Sequence, residues 1–131
     1  MGVCVTISRK NLDEFSCNNK KVLNKISVSQ DDINRFGKIT GGEGEIHTNP
    51  EYARNTVFKS TLVHGLLLQL IIERNISEYL EKEVKQIDII FLTPIKVNQY
   101  FTISATPLSR NKYNVIIEYK STKCVVAEVE I

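Results

Sequence analysis

The order of apolar and polar positions predicts one buried helix followed by a set of strands. Apolar side chains fill nearly every position from Leu62 to Ile72, so this segment has almost no polar face before Glu73. A helix of that composition is buried on most sides. We therefore predict a central helix from Ser60 or Thr61 to about Arg74.

The last third of the chain has the composition of a sheet. Valine, isoleucine, tyrosine and phenylalanine are frequent there, and polar residues that can turn the chain separate the segments. The predicted strands are Gln86–Leu92, Tyr100–Leu108, Tyr113–Tyr119 and Lys123–Ile131. A sheet that wraps one central hydrophobic helix is the simplest arrangement of these elements, which gives an α+β fold in a single domain over residues 1–131.

Before the central helix, the pattern is weaker. Two short strands are predicted at Val3–Ser8 and Val22–Val28. Ser29 is a predicted helix N-cap, because Asp32 three residues later completes a capping box, and Gly37 is predicted to end that helix. Another helix start follows at Asn49, where an Asn-Pro-Glu sequence caps a short helix over residues 50–54.

Composition and charge exclude several classes of protein. The net charge is only +2, and the basic residues are spread without interleaved aromatic residues, so we expect no nucleic-acid partner. No apolar run approaches the roughly 18 residues of a membrane span, so we expect no membrane partner. Cys4, Cys17 and Cys124 are odd in number and match no metal spacing, which favours reduced thiols in a cytoplasmic protein. We expect neither a metal nor a cofactor.

Candidate chemistry is concentrated between Thr40 and Leu68. His47 follows a glycine-rich loop that carries Glu43 and Glu45, and the second of the two histidines, His64, precedes Gly65 at the start of the apolar run. An imidazole beside a carboxylate has a pKa suited to general-base catalysis near neutral pH. Glycine within a helix costs about 1 kcal/mol relative to alanine, so Gly65 requires either a ligand close to its N–H or close packing against a strand.

Taken in order, these motifs resemble the MaoC-like dehydratases, the (R)-specific enoyl-CoA hydratases of the hot-dog fold. The resemblance covers about residues 20–131 and is carried by Thr40-Gly41, Ile46-His47, Pro50-Glu51-Tyr52-Ala53, Val63-His64-Gly65 and the region of Pro94. It implies an antiparallel sheet around a central helix. It also implies a lyase of fatty acid metabolism that hydrates a trans-2-enoyl thioester of CoA or an acyl-carrier protein.

The resemblance assigns roles to individual residues. His47 aligns with the catalytic histidine, and Gly65 with the amide that polarises the thioester carbonyl. His64 is expected to bind substrate or to orient the helix start, while Asn49 and Tyr52 are expected to line the cleft. The aspartate of the family falls on Gly42 here. Either Glu43 or Glu45 supplies the missing carboxylate, with Glu43 preferred, or both are solvated loop charges and the reaction is altered or lost.

Three functions remain open at this point. The preferred one is an acyl-thioester hydratase or dehydratase, and the second is a hot-dog thioesterase in which a glutamate activates water. The third is an acyl-binding protein or a partner subunit of a heteromeric hydratase, because Gly42 lacks the carboxylate. The resemblance also implies a homodimer or higher homo-oligomer, since a second copy completes one sheet edge of such domains.

Overall fold

A computed structural model describes residues 19–131. The predicted strand at residues 3–8 lies outside the described part. The strands are β1 (Lys21–Ile26), β2 (Gln86–Phe91), β3 (Phe101–Ser109), β4 (Lys112–Tyr119) and β5 (Thr122–Glu130). The helices are α1 (Gln30–Thr40), α2 (Glu45–Thr48), α3 (Pro50–Arg54) and α4 (Gly65–Leu80).

The five strands form one antiparallel sheet in the order β1-β3-β4-β5-β2. β3, β4 and β5 are joined by hairpins, and Lys120 and Ser121 in the second hairpin both have positive φ angles, 47° and 69°. The inner face of the sheet alternates with its outer face, so Ile103, Ile117 and Val125 lie side by side and are fully buried. The four predicted strands of the last third are confirmed, and each of their ends agrees with the structure to within one residue.

Helix α4 packs against this inner face. Leu68, Ile72 and Ile76 are four residues apart and buried, which is the spacing of one helix face. The expectation that the helix is buried on most sides is wrong for Leu66 and Leu70, which are 52% and 46% exposed. Both lie away from the sheet and are available to another surface.

The boundaries of α4 also differ from the prediction. Residues 61–63 are extended, because Val63 N–H donates to the Ile95 carbonyl at 2.9 Å and Val97 N–H donates to the Thr61 carbonyl at 3.0 Å. These bonds to a neighbouring segment place the helix start at Gly65 rather than at Ser60 or Thr61. The helix continues past Arg74 because Ile76 extends the buried face, and it ends at Glu81 with a φ of 54°.

The start of α1 is as predicted, and its end is not. Ser29 Oγ accepts from Asp32 N–H while the Asp32 carboxylate accepts from Ser29 N–H, which is a complete capping box. The helix runs through Gly37 and ends at Gly41, whose φ of 82° is the left-handed conformation that glycine adopts without strain. The end predicted at Gly37 is therefore wrong, and a contact described below explains that glycine.

None of the helices in the described part has the length and apolar character needed to cross a membrane. Cys124 is a buried free thiol, and burial raises its pKa. Cys4 and Cys17 lie outside the described residues, so the cytoplasmic location stays a prediction.

Candidate active site

His47 lies on α2, the single helical turn after the glycine loop, and its side chain has a defined orientation. Its Nδ1–H donates to the Leu62 carbonyl at 2.8 Å. Because a neutral imidazole has one N–H, this bond leaves Nε2 as the nitrogen with the free lone pair. His47 is partly buried, so the ring is held by the protein and still accessible.

The backbone of α2 is tied to the extended segment before α4. Leu62 N–H donates to the Ile46 carbonyl at 3.0 Å, beside the bond that the His47 ring makes to the same residue. Gln30, the first residue of α1, donates from Nε2 to the His47 carbonyl at 2.8 Å, and its Oε1 accepts from Thr61 Oγ1 at 2.5 Å. These bonds fix His47 relative to the residues that lead into α4.

His64 is the N-cap residue of α4, and its side chain is almost fully buried, with 6% exposed. Its Nε2–H donates to the Gly42 carbonyl at 2.6 Å, whereas its Nδ1 is buried without a hydrogen-bond partner among residues 19–131. The His64 ring stacks on the His47 ring, with a centroid distance of 4.0 Å and an interplanar angle of 19°. The structure therefore brings the two histidines of the chain into direct contact.

Burial keeps His64 neutral. Desolvation lowers the pKa of His64 below its ordinary value of 6.5, the bond to the Gly42 carbonyl acts in the opposite direction, and the nearby His47 lowers it further. Two positive charges about 4 Å apart repel by roughly 1 kcal/mol in water and about 4 kcal/mol at an effective dielectric constant near 20. The proximity of His47 therefore adds to burial in disfavouring a proton on His64.

Gly42 and Gly37 are both in close contacts around this pair. A Cβ atom at Gly42 would lie 3.1 Å from Cδ2 and 3.2 Å from Nε2 of His64. A Cβ atom at Gly37 would lie 2.9 Å from the Gly42 carbonyl oxygen, the same atom that accepts from His64. The loop carbonyl thus fits between a helix glycine and a histidine ring.

The structure does not pair either candidate glutamate with a histidine within the described residues. Within residues 19–131, no hydrogen bond or ion pair joins Glu43 or Glu45 to a histidine. Glu43 lines a polar cleft on the side of α1, and its Cγ would contact a Cβ at Gly37. Glu45 is exposed, and its Oε1 accepts from Asn49 Nδ2 at 3.5 Å. The predicted catalytic roles of both glutamates therefore stay predictions.

Gly65, the first residue of α4, is explained by packing. A Cβ at this position would lie 3.2 Å from Cζ of Phe91 at the end of β2. The same residues line a cavity of about 240 Å³ that extends to Thr93 and Pro94. The first amides of a helix have no partner within the helix, so they are free to bind a developing negative charge, as predicted for Gly65. Both explanations of the glycine remain compatible with the structure.

Asn49 and Tyr52 follow His47 in the sequence. Asn49 Oδ1 accepts from the N–H groups of Glu51 and Tyr52 at 3.1 and 3.2 Å, so its side chain serves as the cap of α3. Tyr52 is 48% exposed. Their predicted cleft-lining role stays a prediction.

Three residues of this region were missed by the sequence analysis. Gln30 bridges His47 and Thr61, Gly37 admits the Gly42 carbonyl, and the Phe36 ring lies 5.0 Å from His64. All three are on α1, and no motif links that helix to the histidines. Among residues 19–131, no group of three or more His, Cys, Asp or Glu side chains is placed to hold a metal ion.

Comparison with known proteins matches most of the sequence to a family. Residues 16–129 match the MaoC like domain. The mitochondrial 3-hydroxyacyl-(acyl-carrier-protein) dehydratase of Arabidopsis thaliana is 28% identical over 99 residues, which cover 73% of this chain and 59% of that dehydratase. The chain thus spans less than two thirds of the length of this relative.

Solved structures show the same fold. The (R)-hydratase of A. caviae involved in PHA biosynthesis superposes with a TM-score of 0.76 at 17% identity, covering 84% of this chain and 90% of that chain. The ChsH1-ChsH2 complex of Mycobacterium tuberculosis gives a TM-score of 0.72 at 19% identity, covering 84% of this chain and 93% of that chain. The predicted hot-dog fold is confirmed.

Proposed function

Because the chain belongs to the MaoC-like domain family, we propose that it catalyses the reversible addition of water to a trans-2-enoyl thioester of CoA or of an acyl-carrier protein. The observation that supports this most is the geometry of His47. Its Nδ1–H is bound to the Leu62 carbonyl, and its ring stacks on His64, the residue that begins α4. A nitrogen with a free lone pair is thereby held beside the positive end of a 16-residue helix.

The proposed reaction uses one base. Nε2 of His47 removes a proton from water, and the oxygen of that water forms a bond to C3 of the enoyl group. The electron pair of the C2–C3 double bond moves to the thioester, which becomes an enolate. The imidazolium of His47 then returns the proton to C2, so that a 3-hydroxyacyl thioester is released and the base is regenerated.

The enolate oxygen requires stabilisation in this scheme. The N–H groups at the start of α4, with that of Gly65 first, are proposed to donate to it, because they are unpaired within the helix and lie at its positive end. Removing one such donor in other enzymes lowers kcat by about 100- to 1000-fold. The apolar cavity beside Gly65 and Phe91 supports a thioester at this position.

The hydration of a short trans-2-enoyl-CoA tests the proposal, and its rate is measured as the loss of the absorbance of the enoyl group. A positioned general base contributes about 100- to 10,000-fold, so His47→Ala should lower kcat by that factor. Glu43→Gln and Glu45→Gln should stay within a few-fold of the wild type and of Glu51→Gln, a matched exposed control on α3. A loss of about 100-fold or more in either glutamate variant would identify the carboxylate and overturn the one-base scheme.

A second candidate is an acyl-thioester-binding partner subunit of a heteromeric hydratase. It is favoured by the absence of a carboxylate bound to His47 among residues 19–131. Calorimetric binding of a short enoyl-CoA without hydration would support this candidate. Release of free CoA in the same assay, detected with a thiol reagent, would instead support the thioesterase.

We also propose that the chain forms a homodimer through β2. Among the strands of residues 19–131, β2 is at the edge of the sheet, and the segment ends with the exposed apolar residues Ile90, Phe91 and Leu92, at 62%, 49% and 56%. An exposed apolar edge strand is a template for pairing with another strand. Antiparallel pairing of two β2 strands would make one continuous sheet and place these side chains beside those of the partner strand.

Light scattering at micromolar concentration tests the dimer. Ile90→Asp should shift the protein to the mass of a monomer, because it introduces a charge into the proposed interface. Leu108→Asp is the matched control, since Leu108 is also half-exposed, at 52%, but lies on β3, three strands away from β2. A monomeric wild-type chain, or equal effects of the two variants, would overturn the proposal.

A further inference from the structure

We propose that His64 is a positioning residue for His47, a neutral ring that holds the base in its reactive orientation. This inference rests on the proposed function for its catalytic meaning, although its structural part can be tested without turnover. It concerns a residue for which the sequence offered only substrate binding or orientation of the helix start.

The first argument is the contact between the rings. A stack with a 4.0 Å centroid distance and a 19° angle covers one whole face of the His47 imidazole. The second contact that constrains the His47 ring is the bond from its Nδ1–H to the Leu62 carbonyl. The bond selects the tautomer but leaves rotation about its axis free, and the stack fixes the plane of the ring and prevents a rotation that would break the bond.

The His64 ring is itself confined by its surroundings. It is 6% exposed, it contacts Phe36 at a centroid distance of 5.0 Å, and its Nε2–H is bound to the Gly42 carbonyl at 2.6 Å. That carbonyl is in turn confined by Gly37, where a Cβ would approach it to 2.9 Å. Because both ends of this contact are buried or confined, His64 presents a rigid surface to His47.

The two rings also differ in how their nitrogens are used. The Nε2–H of His64 donates to the Gly42 carbonyl, and its Nδ1 is buried without a hydrogen-bond partner among residues 19–131. Neither nitrogen of this ring is therefore directed at a solvent-accessible reacting group. His47 keeps Nε2 free. The geometry therefore gives the two histidines different roles: His47 accepts the proton, and His64 holds the His47 ring in position.

The chain contains only two histidines, which makes nuclear magnetic resonance of their ring nitrogens a direct test. In the wild type above pH 7 we expect His47 as the Nδ1–H tautomer and His64 as the Nε2–H tautomer. His64→Ala should replace the single His47 tautomer by a mixture. The opposite tautomer at either ring of the wild type, or an unchanged His47 tautomer in a folded His64→Ala protein, would overturn the inference.

Kinetics of three variants separate positioning from simple structural support. We expect His64→Ala to lower kcat by about 10- to 100-fold with KM changed less than about threefold, because a misplaced base slows chemistry more than binding. His64→Phe, which keeps a ring to stack, should recover most of kcat, and His64→Asn, which keeps only an amide donor, should not. Equal activity of the Phe and Asn variants would contradict the role of the stack. If the wild type lacks hydratase activity, the proposed function fails, and the tautomer measurement still decides the structural part.

Discussion

Replacing Gly37 by alanine tests whether the loop, the helix and the histidine pair are coupled as the structure indicates. Gly37 is inside α1 and buried, four residues before the capping Gly41. At an ordinary interior helix position, glycine to alanine stabilises a protein by about 1 kcal/mol. Here the new Cβ would lie 2.9 Å from the Gly42 carbonyl oxygen, a backbone atom, and something must shift.

The magnitude follows from what that oxygen does. It accepts the His64 Nε2–H bond, and moving it leaves a second buried nitrogen of His64 without a partner. An unsatisfied buried donor costs about 1–3 kcal/mol, which exceeds the gain in helix propensity. We therefore expect Gly37→Ala to lower the free energy of unfolding by about 1 kcal/mol, with a range of roughly 0 to 2.

Urea denaturation of the wild type, Gly37→Ala and Gly44→Ala provides the measurement. Gly44 is the matched control in the same loop, because a Cβ there meets only His47 Cδ2 at 3.8 Å, an ordinary contact. Gly37→Ala should be the more destabilising variant. A Gly37→Ala protein about 1 kcal/mol more stable than the wild type would show that propensity alone decides this position, and the coupling would be refuted.

Three further outcomes follow from single residues. Burial lowers the pKa of His64 in the folded chain below its ordinary value of 6.5. As the pH falls through 6.5, the unfolded chain therefore binds a proton at His64 that the folded chain does not bind. Stability should decline below about pH 6.5 by at most about 1.4 kcal/mol per pH unit, and urea titrations at pH 7.5 and 5.5 should show a shallower decline in His64→Phe. Gly65→Ala should change stability by less than about 1 kcal/mol in thermal unfolding, because half-exposed Phe91 can move, while any effect on kcat would report the amide. Cys124, buried with a raised pKa, should react with a thiol reagent only on unfolding in a Cys4→Ser/Cys17→Ser protein, and rapid labelling of the native form would contradict its burial.

The fold was predictable wherever a local rule and the tertiary structure agree. The capping box at Ser29, the cap at Asn49 and the strands of the last third depend on neighbouring residues in the sequence, and each was placed correctly. The start of α4 was not, because the apolar residues at 62 and 63 suit an extended segment as well as a helix. Bonds to Ile95 and Val97, more than 30 residues away, decide between the two.

The sequence did not predict how the residues of the candidate site are arranged. The pattern of glycines and histidines identified His47, His64 and Gly65 as neighbours of one loop. The stacking of the two rings requires the α1 helix, whose Phe36 and Gly37 give no signal in sequence beyond an inner face and an apparent helix stop. The orientation of the two glutamate side chains could not be predicted either. On a glycine-rich loop, the direction of an exposed side chain depends on its contacts rather than on its spacing in the sequence.

Gly42 has a structural explanation that does not depend on catalysis. The aspartate that the resemblance places there would carry its Cβ to 3.1 Å from the His64 ring, so the present position of His64 and any side chain at 42 exclude each other unless the ring yields by a few tenths of an ångström. The ring is confined by Phe36, by the Gly42 carbonyl and by its own burial, and yielding would weaken the stack on His47. The glycine and the histidine pair are therefore one structural feature. An aspartate restored at this position alone would require the His64 ring to shift by a few tenths of an ångström, so its effect on His47 depends on how far that ring can yield.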